Sequence, residues 1–257
     1  MSNIKQAGAL IFDVYGTVVD WRTTVISELA NLADKCGLGS PDDVEWEEFA
    51  NEWRDGYMRA TQRLGRDGAS GARNTDELHR EILDQLLESP KWGHLSDLWD
   101  DHERKEVVMI WHQLEGWPDT HDGLRRLKED RILATLSSAH VRLLVDMAKH
   151  AHLPWDVIFS TELFNSFKPD PKVYLGAAHH LSLPPNRCIM VAAHIFDLRA
   201  AASLGMYTVY VRRPNEDVVN PASVKCKADG GEVDIVVDSL IELADILADT
   251  KLKDEGV

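Results

Sequence analysis

The second half of the chain alternates short apolar runs with amphipathic stretches, and this alternation limits the fold more than any other feature. Ile132–Leu136 ends at Ser137–Ser138, Val157–Ser160 precedes a loop, Ile189–Ala193 ends at His194, and Thr208–Val211 and Asp234–Val237 follow. Between them lie helical patterns near Asp119–Glu129, His140–His152, Pro171–Leu183, Asp197–Leu204 and Leu240–Ala248. Strands and helices in strict alternation build a parallel, doubly wound sheet with helices on both faces. The predicted class is therefore α/β with a Rossmann-like core.

Residues 20–115 break the pattern. They hold long charged and amphipathic stretches, many tryptophans between Trp46 and Trp111, and hardly any strand-like run. The expectation is a helical cap inserted into a core made of residues 1–19 and 116–257. Arg66–Gly71 reads as a loop between cap helices, and Gly116-Trp117-Pro118-Asp119 as re-entry into the core, with Pro118 and Asp119 suited to opening a helix. At 257 residues and 44% hydrophobic the chain can bury such a core.

Bulk properties narrow the function classes. A formal net charge of -15 speaks against nucleic acid or an anionic membrane as partner. It also means that an anionic substrate needs local arginines or lysines. No apolar run approaches the ~20 residues of a membrane span, and Met1–Gln6 lacks a secretory apolar region, so a cytoplasmic location is expected. Cys36, Cys188 and Cys226 match no zinc or disulfide pattern.

Chemistry is concentrated in Leu10-Ile11-Phe12-Asp13-Val14-Tyr15-Gly16-Thr17, where an apolar run delivers one carboxylate into a turn. An aspartate at the carboxyl end of a buried strand is a candidate covalent nucleophile, because open α/β sheets bind ligands there. A phosphoryl-transfer version of this turn would want a second carboxylate at Tyr15, both to protonate the leaving oxygen and to accompany a magnesium site. Tyrosine cannot act as that acid at neutral pH. The turn argues for displacement without a metal or other cofactor.

Three later segments end predicted strands with polar groups: Ala134-Thr135-Leu136-Ser137-Ser138, Phe167-Lys168-Pro169-Asp170-Pro171-Lys172-Val173-Tyr174, and Met190-Val191-Ala192-Ala193-His194-Ile195-Phe196-Asp197. Together with the Asp13 turn, and in this order, they resemble the haloacid dehalogenase superfamily, more narrowly its L-2-haloacid dehalogenase branch. The resemblance covers the core nearly end to end and the cap only loosely.

That resemblance implies a hydrolytic dehalogenase of short 2-haloacids, with the small-molecule acid as its partner and a homodimer compatible with the family. Asp13 would attack the halogen-bearing carbon, invert it, and form an aspartyl ester that water then hydrolyses. Ser137 would hydrogen-bond Asp13 or the substrate carboxylate, with Ser138 beside it; both also suit capping of the next helix. Lys168 would hold Asp13 and favour its ionised form, and Tyr174 would enter the site. Asp197 would bind Lys168 or help activate water, its alternative being an N-cap.

His194 and Ala192 depart from the best-known dehalogenase pattern, which has asparagine and serine there. A histidine offers a general base near neutral pH, and Glu28 is a candidate partner for it. Arg54, in Trp53-Arg54 with Tyr57 following, resembles the family's cap segment whose arginine clamps halide or carboxylate, with Arg22 as competitor. Trp21, Trp53 and Phe196 would wall a small pocket beside Tyr15. The alternatives are a phosphatase or phosphonate hydrolase on the same scaffold, or a non-catalytic binding protein that keeps the fold.

Overall fold

The computed structural model describes residues 4–38, 44–66 and 74–248. Six strands form one parallel sheet: β1 (Ala9–Phe12), β2 (Ile132–Ser137), β3 (Val157–Ser160), β4 (Cys188–Ala192), β5 (Tyr207–Val211) and β6 (Ile235–Val237). Their order across the sheet is β3-β2-β1-β4-β5-β6. Every residue of β1 and β4 is buried, as expected of central strands covered on both faces. The order reverses between β1 and β4, which pair in register from Ala9↔Cys188 to Phe12↔Val191. A crevice opens at such a switch point, outside the carboxyl ends of the strands.

Between β1 and β2 run α1 (Trp21–Lys35), α2 (Trp46–Arg66), α3 (Thr75–Glu88) and α4 (Asp101–Met109). The two ends of this helical segment lie side by side. Val19 bridges Gly116, and the Asp20 N–H donates to the Glu115 carbonyl at 2.9 Å. The tryptophans form the segment's own core: Trp53, Trp99 and Trp111 are fully buried, and Trp53 meets Trp111 edge-on at 5.3 Å between centroids. The loop expected over 66–71 lies outside the described residues beyond Arg66, which ends α2.

After β2 the alternation continues through α6 (Val141–His150), α7 (Pro171–His180) and α8 (Ile195–Ser203), with α5 (Thr120–Leu127) ahead of β2 and α9 (Leu240–Ala248) closing the chain. Two helices differ from expectation in a way that matters. α7 stops at His180, short of Leu183, because Ser182 adopts a left-handed conformation at φ 56°. α8 starts two residues before Asp197. Asp217, from the segment after β5, accepts the Ile195 N–H at 2.8 Å and so satisfies the helix start from outside. Asp197 is therefore not an N-cap. It sits in the first turn of α8, wholly buried.

Candidate active site

The turn after β1 places Asp13 at the switch point, and three polar side chains converge on it. Lys168 Nζ donates to Asp13 Oδ1 at 3.1 Å. Thr17 Oγ1 donates to Oδ2 at 2.7 Å, and His194 Nδ1 lies 2.9 Å from the same oxygen. Thr17 in turn accepts the Ala193 N–H at 2.8 Å, which ties the β1 turn to the end of β4. Arg213 holds the turn from behind: its Nε donates to the Thr17 carbonyl at 3.1 Å while its two terminal nitrogens grip Asp119 at 2.7 and 3.0 Å.

Lys168 is buried between two carboxylates, since it also donates to Asp197 Oδ2 at 2.5 Å. Tyr174 donates its hydroxyl to Asp197 Oδ1. Tyr174 is thus fully buried behind the lysine, holding Asp197 rather than facing the cavity, which corrects its expected place in the substrate site. The sequence cue pointed at the right helix. α7 opens only two residues after Pro169, so the tyrosine falls one turn inside it and is directed at α8.

These contacts set charge states. Burial raises the Asp13 carboxyl, but the Lys168 ammonium, His194 and the Thr17 hydroxyl outweigh it and hold the pKa well below the usual 3.8. Burial opposes a charge on Lys168 too, yet the two carboxylates push its pKa above 10.5. For His194, desolvation is overcome by Asp13 and, further off, Glu216, and its pKa rises above 6.5. Asp197 is raised by burial and by the Asp13 charge, with Lys168 opposing. The site therefore favours an ionised Asp13 beside a charged Lys168, with the protonated form of His194 also favoured.

Sequence reasoning missed two side chains here. Thr17 stood in the first motif without a role; its spacing of four residues from Asp13 across one turn was the available signal. Glu216 had none, because it belongs to the loop after β5. It lies buried with its Oε2 3.9 Å from His194 Nε2 and accepts the Trp21 indole N–H at 3.0 Å. Burial raises its pKa. Glu28 is not the partner of His194: it accepts a hydrogen bond from Asn31 in its own helix.

A cavity of about 470 Å³ opens over Asp13 and is lined by Tyr15, Arg54, Ser137, Ser138, Lys168 and His194 among others. Arg54 stacks on Tyr15, Tyr57 and Trp21, with its guanidinium carbon 4.8, 5.6 and 5.8 Å from the ring centroids. Among the described residues it has no carboxylate within ion-pair distance. Arg22, by contrast, is engaged by the Asn51 side chain, the Asn215 carbonyl and Glu47. The Tyr15 hydroxyl is buried without a protein partner.

Neither serine hydrogen-bonds Asp13, whose side-chain partners are Thr17, Lys168 and His194. Ser137 Oγ accepts the Ala139 N–H at 3.3 Å, and the Ser138 carbonyl accepts from the Tyr57 hydroxyl at 3.1 Å. Nor does either cap α6, whose first amide, Val141, is satisfied by Glu162 at 2.7 Å. Trp21 borders an adjoining cavity with Arg54, Glu216 and His194, and Phe196, 42% exposed, stands at the rim. Trp53 lies away from the cavity. Its indole N–H donates to the His79 carbonyl at 3.0 Å, so the wall expected of it is interior packing instead.

Comparison with known proteins agrees on the family. Residues 7–205 match the haloacid dehalogenase-like hydrolase family. The chain is 27% identical to (S)-2-haloacid dehalogenase 1 of Pseudomonas sp. (strain CBS-3) over 81% of its own length and 86% of that protein's. A crystal structure of a defluorinating L-2-haloacid dehalogenase is similar at a TM-score of 0.82 and 35% identity, covering 94% of this chain and 95% of that one. Another L-2-haloacid dehalogenase structure gives a TM-score of 0.79 and 33% identity over 94% of this chain and 99% of that one.

Proposed function

Because the chain belongs to the haloacid dehalogenase-like hydrolases and resembles their L-2-haloacid dehalogenase branch, we propose that it releases halide from short 2-haloacids through an ester on Asp13. It is a hydrolase acting on carbon–halide bonds. The helical segment over 20–115 serves as the cap of a core formed by 1–19 and 116–257. The observation that carries the reading is Lys168 between Asp13 and Asp197 beneath a cavity that also presents Arg54.

Each step has a residue for it. Arg54 meets the substrate anion, whether carboxylate or departing halide, from the cap side, and its aromatic stacking fixes the guanidinium before substrate arrives. Tyr15 offers its unpaired hydroxyl to the same anion. The Asp13 carboxylate attacks the halogen-bearing carbon from behind, forming a C–O bond as the carbon–halogen bond breaks, and halide leaves with its electron pair. Lys168 and Thr17 orient the carboxylate for that approach.

Formation of the ester removes the Asp13 charge, which is the main support for protonated His194. Its pKa then falls back toward the value that burial favours, and the imidazole loses its proton. Neutral His194 takes a proton from water as the oxygen attacks the Asp13 carbonyl carbon. On collapse it passes that proton to the departing alkoxide oxygen, releasing the 2-hydroxy acid, and the new Asp13 carboxyl returns to the carboxylate by giving its proton to His194. Glu216 beside Nε2 keeps the ring oriented with Nδ1 toward Asp13, a second carboxylate acting as a positioning residue. In this scheme the histidine takes over the water-activating task left open by the residues at Ala192 and His194.

The test is halide release from (S)-2-chloropropionate measured beside p-nitrophenyl phosphate hydrolysis with magnesium. Halide release with inversion is expected. Phosphate release stimulated by magnesium with no halide would replace this reading by the phosphatase one.

A further inference from the structure

A second cluster of ligand-bearing side chains lies outside the Asp13 cavity, where the helical segment meets the core. Asp76, in the first turn of α3, faces His112 at the end of the segment and His140 at the start of α6. One donor atom from each falls within 4.8 Å of the others. Asp76 Oδ1 lies 2.9 Å from His112 Nε2, and Oδ2 lies 3.7 Å from His140 Nε2. The latter is too long for a hydrogen bond. Four donors about 2.0 Å from a zinc ion stand about 3.3 Å apart, so the two separations bracket a coordination edge.

Two further observations separate this cluster from an ordinary ion pair. His112 presents only one nitrogen to Asp76; its Nδ1 lies 3.0 Å from Asp146 Oδ2, and Asp146 is gripped by Arg142. A carboxylate behind the outer nitrogen of a histidine is the arrangement that orients metal-binding imidazoles. His140 is held by its backbone instead: its N–H donates to Thr75 Oγ1 at 3.0 Å, one residue from Asp76. Its ring is largely enclosed, with Nδ1 buried and unpartnered, so the ring is positioned without having its hydrogen bonds met.

We propose that Asp76, His112 and His140 bind one divalent transition-metal ion of the zinc type, with Asp146 supporting His112 from outside. Two imidazoles and one carboxylate suit zinc, and a water on the part-exposed side of Asp76 completes four donors. Binding requires the His140 ring to turn toward Asp76 from its 3.7 Å separation and His112 Nε2 to ease back from its 2.9 Å contact, and His112 gives up any proton on Nε2. The ion would brace α3 against α6 and, through His140, the Ser137–Ser138 loop that precedes it. It takes no part in the chemistry at Asp13.

Protein stripped with a chelator is titrated with zinc chloride by calorimetry, with the thermal midpoint followed in parallel and cobalt(II) used as an optical probe. One saturable equivalent, a raised midpoint and a four-coordinate cobalt spectrum are expected. His140→Ala should weaken binding at least tenfold, and Asp146→Asn by about 10–100-fold. Asp13→Asn should leave zinc binding unchanged, which keeps this result independent of the dehalogenase reading. Absence of saturable binding, binding undiminished in both His140→Ala and His112→Ala, or binding lost in Asp13→Asn would each overturn the proposal.

Discussion

His194 and Asp13 share one contact, Nδ1 to Oδ2 at 2.9 Å, through which, against the opposing effect of burial, the Asp13 carboxylate raises the pKa of the histidine. In the proposed mechanism the Asp13 carboxylate favours the protonated imidazole, and ester formation would remove that support. Replacing His194 by alanine should leave the first displacement largely intact and slow ester hydrolysis by about 10²–10⁴-fold, the usual worth of a positioned base. Rapid-quench halide measurements should show a burst close to one equivalent followed by a slow phase. A variant with unimpaired steady-state turnover would remove His194 from the hydrolytic step.

The same contact has a stability signature. The Asp13 pKa is lowered from 3.8, so its contribution is present above that value and is lost as pH falls through the folded pKa. The His194 pKa is raised from 6.5, so its contribution is full below 6.5 and is lost as pH rises through the higher folded value. Asp13→Asn removes the pairing altogether. The variant's Tm relative to wild type should therefore climb as pH rises above 6.5, which thermal scans on either side of that value check directly. A flat difference would mean that His194 is not charged by Asp13.

Arg54 and Arg22 are distinguished by what already holds them. Arg54 rests on aromatic rings with no carboxylate among the described residues in ion-pair reach, whereas Arg22 is committed to Asn51, Asn215 and Glu47. Loss of a charge-assisted contact to the substrate anion, about 1.5–3 kcal/mol, corresponds to a roughly 10–100-fold fall in kcat/KM for Arg54→Ala. Arg22→Ala should lose less than about threefold. Steady-state kinetics on one haloacid decides between them, and the reverse ranking would transfer the anion-binding role to Arg22.

Gly16 is the residue that lets Glu216 approach the active turn. Its φ is +76°, and a Cβ there would stand 1.8 Å from Glu216 Oε2. Gly16→Ala must therefore both strain the backbone and displace the carboxylate beside His194. A loss of about 1–3 kcal/mol is expected from the left-handed conformation alone, read by urea denaturation, together with slower ester hydrolysis. Glu216→Gln, which keeps the shape, should slow hydrolysis without the stability loss.

The core was legible because parallel strands buried on both faces announce themselves as apolar runs ending in polar residues, and the Asp13, Ser137 and His194 positions lie at or just past those ends, while Lys168 lies in the loop between β3 and α7. What stayed hidden depends on contacts between distant loops. Asp217 caps α8 from across β5, which moves the helix start and turns Asp197 inward. Glu216 reaches the β1 turn from the same loop. Trp53 was misplaced because an aromatic beside an arginine suits either a pocket or a core. Its i−4 and i+4 neighbours, Phe49 and Tyr57, are buried with it, and that stripe was the local sign of an interior face.

Mass spectrometry of the protein quenched during turnover of (S)-2-chloropropionate, with His194→Ala used to hold the intermediate, tests the account most directly. The peptide containing Asp13 should carry the substrate's acid portion without its chlorine, and Asp13→Asn should show no such adduct and no halide release. Halide released by His194→Ala with every peptide unmodified would contradict covalent catalysis by Asp13.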